Sequence, residues 1–222
     1  MKLFRYIQYF FYVGANWNWL IAFVLLRSEI KGEKKYGINT TGADELKKLK
    51  KKGIDISHST MYMPVSYQLL EETLQQIPDD NKKHFFDIGC GKGRAMCVAA
   101  HYGFTKISGV DFSKEFCDDA KNNLQQTKQK LPAINFLIKE ADAAVTNIPD
   151  DVDYIFLFNP FDETVMKKVM ENIKASINTN SREVNVVYAN PLCKKLFIEN
   201  GFTETYYKKR LKYFEISILN KK

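Results

Sequence analysis

From Pro64 onward, apolar residues fall into two rhythms that alternate along the chain. In "VSYQLLEETLQQI", Leu69, Leu70, Leu74 and Ile77 recur at helical spacing before Pro78 breaks the pattern. Short apolar runs follow at "HFFDIG", "KISGVDF", "INFLIKEA", "DYIFLFN", "EVNVVYAN", "TETYYKK" and "KYFEISIL". Helices are predicted at about residues 93–102, 113–128, 163–177 and 191–200, whereas the text between "INFLIKEA" and "DYIFLFN" is too short for one. Strands that are apolar throughout and alternate with helices predict a parallel sheet covered on both faces. Only Arg210 and Leu211 separate the last two runs, so these are expected to form a hairpin with an antiparallel strand. The expected fold is α/β and doubly wound, with a mostly parallel seven-stranded sheet and an antiparallel terminal strand.

The amino-terminal text has a different character. Residues 6–26 are uncharged and rich in aromatics, with Lys2 and Arg5 before them and Arg27 after. That is about the length of a membrane span, but Gln8, Asn16 and Asn18 interrupt it. On a helical wheel, Arg5, Gln8, Tyr12 and Asn16 lie opposite Phe10, Val13, Trp17, Ile21 and Val24, which predicts an amphipathic, hydrophobic helix within residues 1–30. Its apolar stripe suits a membrane surface met through residues 3–26, a weak transmembrane anchor, or packing on the domain that follows. No small-residue cleavage site follows Leu26, which disfavours a removed secretory signal. Residues 31–57 are polar and Lys-rich and read as a linker with a short helix over 43–52, leaving residues 58–222 as one domain.

Composition narrows this picture only a little. A chain of 222 residues that is 45% hydrophobic buries a sizeable core, which excludes disorder of the whole chain. The net charge of +7 favours anionic partners, nucleic acid or membrane, but the cations are mostly scattered lysines and select neither. Cys90, Cys97, Cys117 and Cys193 show no paired spacing, and His58, His84 and His101 stand far apart. Reduced thiols and a cytoplasmic location, peripheral to a membrane where the amino-terminal helix engages one, are therefore expected, with no zinc site.

The chemistry begins at "FFDIGCGKGRA", residues 85–95. Asp87 ends a strand, and Gly89, Gly91 and Gly93 supply a tight turn into a helix, where the backbone takes φ > 0 or a ligand presses against it. A dinucleotide loop reads G-x-G-x-x-G and carries a pyrophosphate. Here the spacing is G-x-G-x-G with an acid two residues before the first glycine. That acid repels a pyrophosphate and suits an ammonium.

These residues resemble the first motif of the class I, Rossmann-like S-adenosylmethionine-dependent methyltransferases, and the resemblance extends over roughly residues 60–222. It implies S-adenosyl-L-methionine as cofactor, lying across the carboxyl ends of the strands. It further implies that Asp111, in "GVDFS", accepts from both ribose hydroxyls, a task that suits the forked acceptors of a carboxylate. Asp142, in "EADAA", would accept from the adenine amino group with Ala143 against the ring, and Phe112 would lie along the adenine.

The fourth strand ends in Asn159, Pro160 and Phe161. This trio is similar to the Asn/Asp-Pro-Pro-Tyr/Phe motif of the adenine and glutamine amino methyltransferases, with one proline missing. The similarity implies that Asn159 orients an acceptor nitrogen, with Pro160 and Phe161 beside it. A Tyr-x-Pro segment around Tyr62 resembles the cofactor lid of the telomeric-silencing-type histone lysine methyltransferases and of the membrane-anchored mitochondrial lysine methyltransferases. Taken together, these features point to methylation of a protein side-chain nitrogen, lysine first, with a nucleic-acid amino group or a small molecule as the alternatives. A third class, a non-catalytic cofactor-binding adaptor, would need none of the acceptor-side residues.

Overall fold

The computed structural model describes residues 2–42, 64–158, 161–210 and 214–222. The short helix expected over residues 43–52 lies outside them. Two helices, α1 (Lys2–Asn16) and α2 (Trp19–Tyr36), form an amino-terminal hairpin. They are followed by α3 (Tyr67–Leu74), β1 (His84–Ile88), α4 (Arg94–His101), β2 (Lys106–Asp111), α5 (Lys114–Lys130), β3 (Asn135–Glu140) and β4 (Tyr154–Phe158). The rest comprises α6 (Glu163–Thr179), β5 (Val184–Ala189), α7 (Lys194–Glu199), β6 (Thr203–Arg210) and β7 (Phe214–Lys221).

The strands make one seven-stranded sheet in the order β3-β2-β1-β4-β5-β7-β6. The first five are parallel, and β7 runs antiparallel between β5 and β6. Successive strand side chains point to opposite faces. Phe85, Ile107, Ile138, Tyr154 and Phe156 therefore join the core with α3, α4 and α5, while Phe86, Ile88, Val110, Ile155 and Leu157 join the core with α6. The strand order reverses between β1 and β4, which opens a crevice at their carboxyl ends, where ligands of such sheets bind.

The amino terminus departs from the expected single helix. The helix breaks at Trp17–Asn18 because Asn18 is extended (φ −166°, ψ 143°) and its side chain accepts the Leu20 N–H at 2.7 Å, capping α2. The continuous apolar rhythm concealed this stop, since Asn favours a cap over a helix interior. The break also resets the wheel. Tyr9, Val13, Ala22 and Leu25 pack inward between the two helices, whereas Leu3, Phe4, Ile7 and Phe11 face out. No helix among the described residues is long and apolar enough to cross a membrane.

α2 also continues to Tyr36, inside the polar stretch read as linker. Its Gly32, Glu33 and Tyr36 are buried, as are Ile38, Thr40 and Thr41 beyond it. The left-handed Gly37 ends the helix, and its N–H donates to the Glu33 carbonyl.

Between β3 and β4 the chain forms turns with no covering helix. The face of β1, β2 and β3 there borders a cavity of about 290 Å³ lined by Phe86, Ser108, Val110 and Leu137 among others. At its edge, His84 Nδ1 meets Asp151 at 2.9 Å and Nε2 meets Ser108 Oγ at 2.6 Å. Burial holds the His84 pKa below its ordinary value, so the imidazole is neutral, bonded to Ser108 on one side and Asp151 on the other. Ser108 lies mid-strand between β1 and β3, where neighbouring backbone N–H groups serve the ladders, so they form no oxyanion site. The chain of three ties the Asp151 turn under the sheet.

Candidate functional site

Every feature of the β1–α4 turn follows from keeping its backbone close-packed. Gly89, Gly91 and Gly93 all have positive φ (77°, 49° and 78°), which only glycine adopts without strain. The Gly89 and Cys90 N–H groups donate to the Val110 carbonyl at 2.9 and 3.0 Å, folding the turn back over β2. A second glycine requirement lies beneath it. A Cβ at Gly109 would meet Met96 Sδ at 2.7 Å and Cys90 Cβ at 3.1 Å, so a larger residue in mid-β2 would lift the turn off the sheet.

Asp111, at the carboxyl end of β2, ties the turn to the next helix. One carboxylate oxygen accepts the Gly91 N–H at 2.8 Å and the other accepts the Ser113 N–H at 2.9 Å, which leaves each oxygen a further acceptor site. Burial pushes its pKa up to about 6, against the opposing pull of those two hydrogen bonds. Asp87 is buried at the end of β1, and its pKa is pushed well above the carboxylate range by desolvation and then by the Asp111 charge. Two carboxylates so placed form a site that gains stability when a cation or strong hydrogen-bond donors arrive.

The adjacent residues complete one rim. Phe112 is half-buried between Asp111 and Ser113. The Ala141 N–H donates to the Asp111 carbonyl at 3.0 Å, holding the end of β3 beside the end of β2. Asp142 is exposed just beyond and accepts the Ala144 N–H at 2.8 Å, while Ala143 is buried. Asp87, the three glycines, Asp111, Phe112, Asp142 and Ala143 thus come together along the carboxyl edge of β1, β2 and β3. Tyr62, Asn159 and Pro160 lie outside the described residues. Phe161 is buried in the core facing α6, and Asp162 caps that helix by accepting the Val165 N–H at 3.0 Å.

A second set of residues supports the turn from behind, and sequence reading does not find it. Arg94, first in α4, is buried with its guanidinium fully committed. Nη1 donates to Glu29 Oε1 and to the Val65 carbonyl, both at 2.8 Å, Nε donates to Thr40 Oγ1 at 2.9 Å, and Nη2 donates to Glu29 Oε2. Its Cζ lies 4.0 Å from the centroid of the Tyr67 ring. Glu33 accepts from the Thr40 and Thr41 N–H groups and from Tyr6, and the Tyr6 bond and the two backbone donors hold its carboxyl below the usual range despite burial. Asn123 joins the turn and the amino-terminal segment, donating to the Lys92 carbonyl at 2.9 Å and accepting the Asn39 N–H at 2.9 Å. One sequence signal existed: Glu29 and Glu33, spaced i,i+4, are the two acids of an otherwise apolar and basic helix.

Residues 85–180 match the family model described as a methyltransferase domain. Among solved structures, the chain is similar to a SAM-dependent methyltransferase from Aquifex aeolicus, with 15% identity over 68% of this chain and 88% of that one and a TM-score of 0.53. It is likewise similar to the PH0226 protein from Pyrococcus horikoshii OT3, with 17% identity over 70% of this chain and 89% of that one and a TM-score of 0.53. At those identities the likeness to the structures shows the fold. None of the curated proteins compared matches the chain.

Proposed function

We propose that this chain is a class I methyltransferase that uses S-adenosylmethionine, a reading supported by the methyltransferase-domain match over residues 85–180, and that it methylates a nitrogen of a protein side chain, with lysine the favoured acceptor. When bound, the cofactor supplies an electrophilic methyl group on a sulfonium. The described residues fit it. Asp111 has acceptor sites left for two ribose hydroxyls, Asp87 offers a buried negative charge to an ammonium, and the glycine turn leaves no side chain between backbone and ligand.

The acceptor assignment is carried by Asn159, Pro160 and Phe161 directly after β4. That strand's last paired residues lie against β1 and β5, with Leu157 beside both Ile88 and Tyr188, so β4 ends beside the strand that feeds the glycine turn. Asn159 offers an amide oxygen that accepts from an amine and aims its lone pair, while the burial of Phe161 and the Asp162 cap fix the segment that follows. An amide does not deprotonate an ammonium. The acceptor lysine must therefore lose its proton on entering the site, which desolvation assists by lowering its pKa. The net charge of +7 favours nucleic acid as the competing acceptor.

Incubating a lysate of the source cell with the enzyme and radiolabelled methyl donor, then separating protein, nucleic acid and lipid, tests this assignment. Label is expected in protein and in methyl-lysine after hydrolysis; label confined to RNA overturns it. Separately, Asn159→Ala is expected to lower turnover roughly a hundredfold, the scale of one lost transition-state contact, with cofactor affinity within a few-fold. A comparable loss of cofactor binding in a titration would make Asn159 structural.

Cofactor affinity is also expected to depend on pH. Asp111 and Asp87 bind as carboxylates, and their pKa values in the free protein are raised, so protonation competes at a higher pH than for an ordinary carboxylate. Affinity should fall by about tenfold per pH unit as the pH drops below about 6, where Asp111 takes up its proton, and protonation of Asp87 adds to the fall. Calorimetry between pH 8 and pH 5 checks this, and a flat profile would mean that neither carboxylate is used.

A further inference from the structure

We propose that the outer face of the α1–α2 hairpin docks on an anionic lipid bilayer. The inner face is already committed, through Tyr9, Val13, Ala22 and Leu25 and through the Glu29–Arg94 pair. The outer face is apolar and bare. Leu20 is 78% exposed, Leu3 72%, Phe4 64%, Phe23 60% and Phe11 59%. Contiguous apolar surface of this kind marks an interaction site.

The two helices present one continuous surface. Phe11 and Trp19 meet edge to face with centroids 6.0 Å apart, and Phe10 lies 5.7 Å from Trp19. Gly14 makes the junction possible, because a Cβ there would fall 2.2 Å from the Trp19 ring. Trp19, 53% exposed, thus sits at the turn of the hairpin, and indole rings favour the boundary between acyl chains and headgroups, whereas Trp17 packs edge to face on Phe214.

Charge decides the occupant. Along α2 the exposed positions Leu20, Phe23, Val24, Arg27, Ile30, Lys31 and Lys34 keep i, i+3, i+4, i+7 spacing and form one stripe. Its first half is apolar and its second half cationic, with no acid on it. An anionic headgroup layer complements that row while the apolar half enters the acyl boundary. A second copy of the chain fits worse, since pairing the stripes in parallel opposes like charges and pairing them antiparallel sets cations on apolar side chains. Neither helix meets the requirements of a span, so the hairpin lies in the plane of the surface.

Sedimentation of the full chain with vesicles of phosphatidylcholine, with and without phosphatidylglycerol, tests the proposal. Wild type is expected to pellet with the mixed vesicles and weakly with the neutral ones. Leu20→Glu with Phe23→Glu should abolish pelleting with both. Changing Arg27, Lys31 and Lys34 together to Gln should weaken binding to mixed vesicles by roughly a hundredfold, on the order of fivefold per cation near the surface, and leave neutral vesicles unaffected. Retained S-adenosylmethionine binding in each variant shows that the fold survives. Wild type that stays in the supernatant with both vesicle types overturns the proposal, as does a dimer in light scattering that Leu20→Glu with Phe23→Glu dissolves without vesicle binding ever being seen.

Discussion

Asp87→Asn is expected to abolish measurable binding of S-adenosylmethionine while raising the melting temperature of the cofactor-free protein. The two effects share one cause. In the folded protein without cofactor, the Asp87 pKa is raised well above its unfolded value by burial and by the Asp111 charge. A carboxyl whose folded pKa is raised adds stability at acid pH and loses it as the pH climbs through the two values, so at neutral pH the buried carboxyl opposes folding. Asparagine keeps the shape and removes the charge. A tenfold difference in proton affinity between the folded and unfolded chain is worth about 1.4 kcal/mol, and each kcal/mol moves the melting temperature of a chain this size by about 2–4 °C. Losing the partner of a buried ammonium costs about 2–5 kcal/mol, or roughly thirtyfold to several-thousandfold in affinity. Thermal melts with and without cofactor check both halves. A variant that melts lower without cofactor, or that still binds within tenfold of wild type, contradicts the assignment.

Arg94→Ala is expected to be the most destabilising single change. It removes the partner of Glu29, which is itself buried, and takes away the guanidinium bonds to Thr40 Oγ1 and the Val65 carbonyl. Breaking a buried ion pair from one side costs about 3–5 kcal/mol, because the surviving charge stays buried and uncompensated. That corresponds to a melting temperature lower by roughly ten degrees. Glu29→Leu with Arg94→Met should recover much of the loss, since an apolar pair of similar volume avoids the unpaired charge. A double-mutant cycle by chemical denaturation measures the coupling. Additive effects of the single changes would mean that Arg94 acts through Val65 and Thr40 alone.

The parts of the structure that could be read from sequence are those whose signals are local. The β1 glycine turn, the apolar strands and the β6–β7 hairpin each announce themselves within about ten residues, and the sheet follows from their alternation. The break at Asn18 was hidden because apolar residues continue on both sides of it, and one side chain accepting the Leu20 N–H outweighs that rhythm. The Glu29–Arg94 pair spans 65 positions, and no pattern in either neighbourhood specifies the other. Asp87, Asp111 and Asp142 were legible because each stands at the end of a strand, where the fold itself converts sequence order into a common edge. Phe161 shows the limit of a motif: its position after β4 was readable, but its burial against α6 depends on a helix that comes later in the chain.

The place of β7 carries a consequence for how the protein is made. This strand is the last element in chain order, yet it lies inside the sheet, pairing with β5 through Val184↔Lys221 to Ala189↔Ile216 and with β6 on its other side. During synthesis, β5 waits with an unpaired edge while residues 190–213 are made, because its backbone groups on that side are paired only by β7. Completion of the sheet therefore waits for β7, and a chain that stalls before residue 214 presents to the cell an open β5 edge instead of a finished sheet.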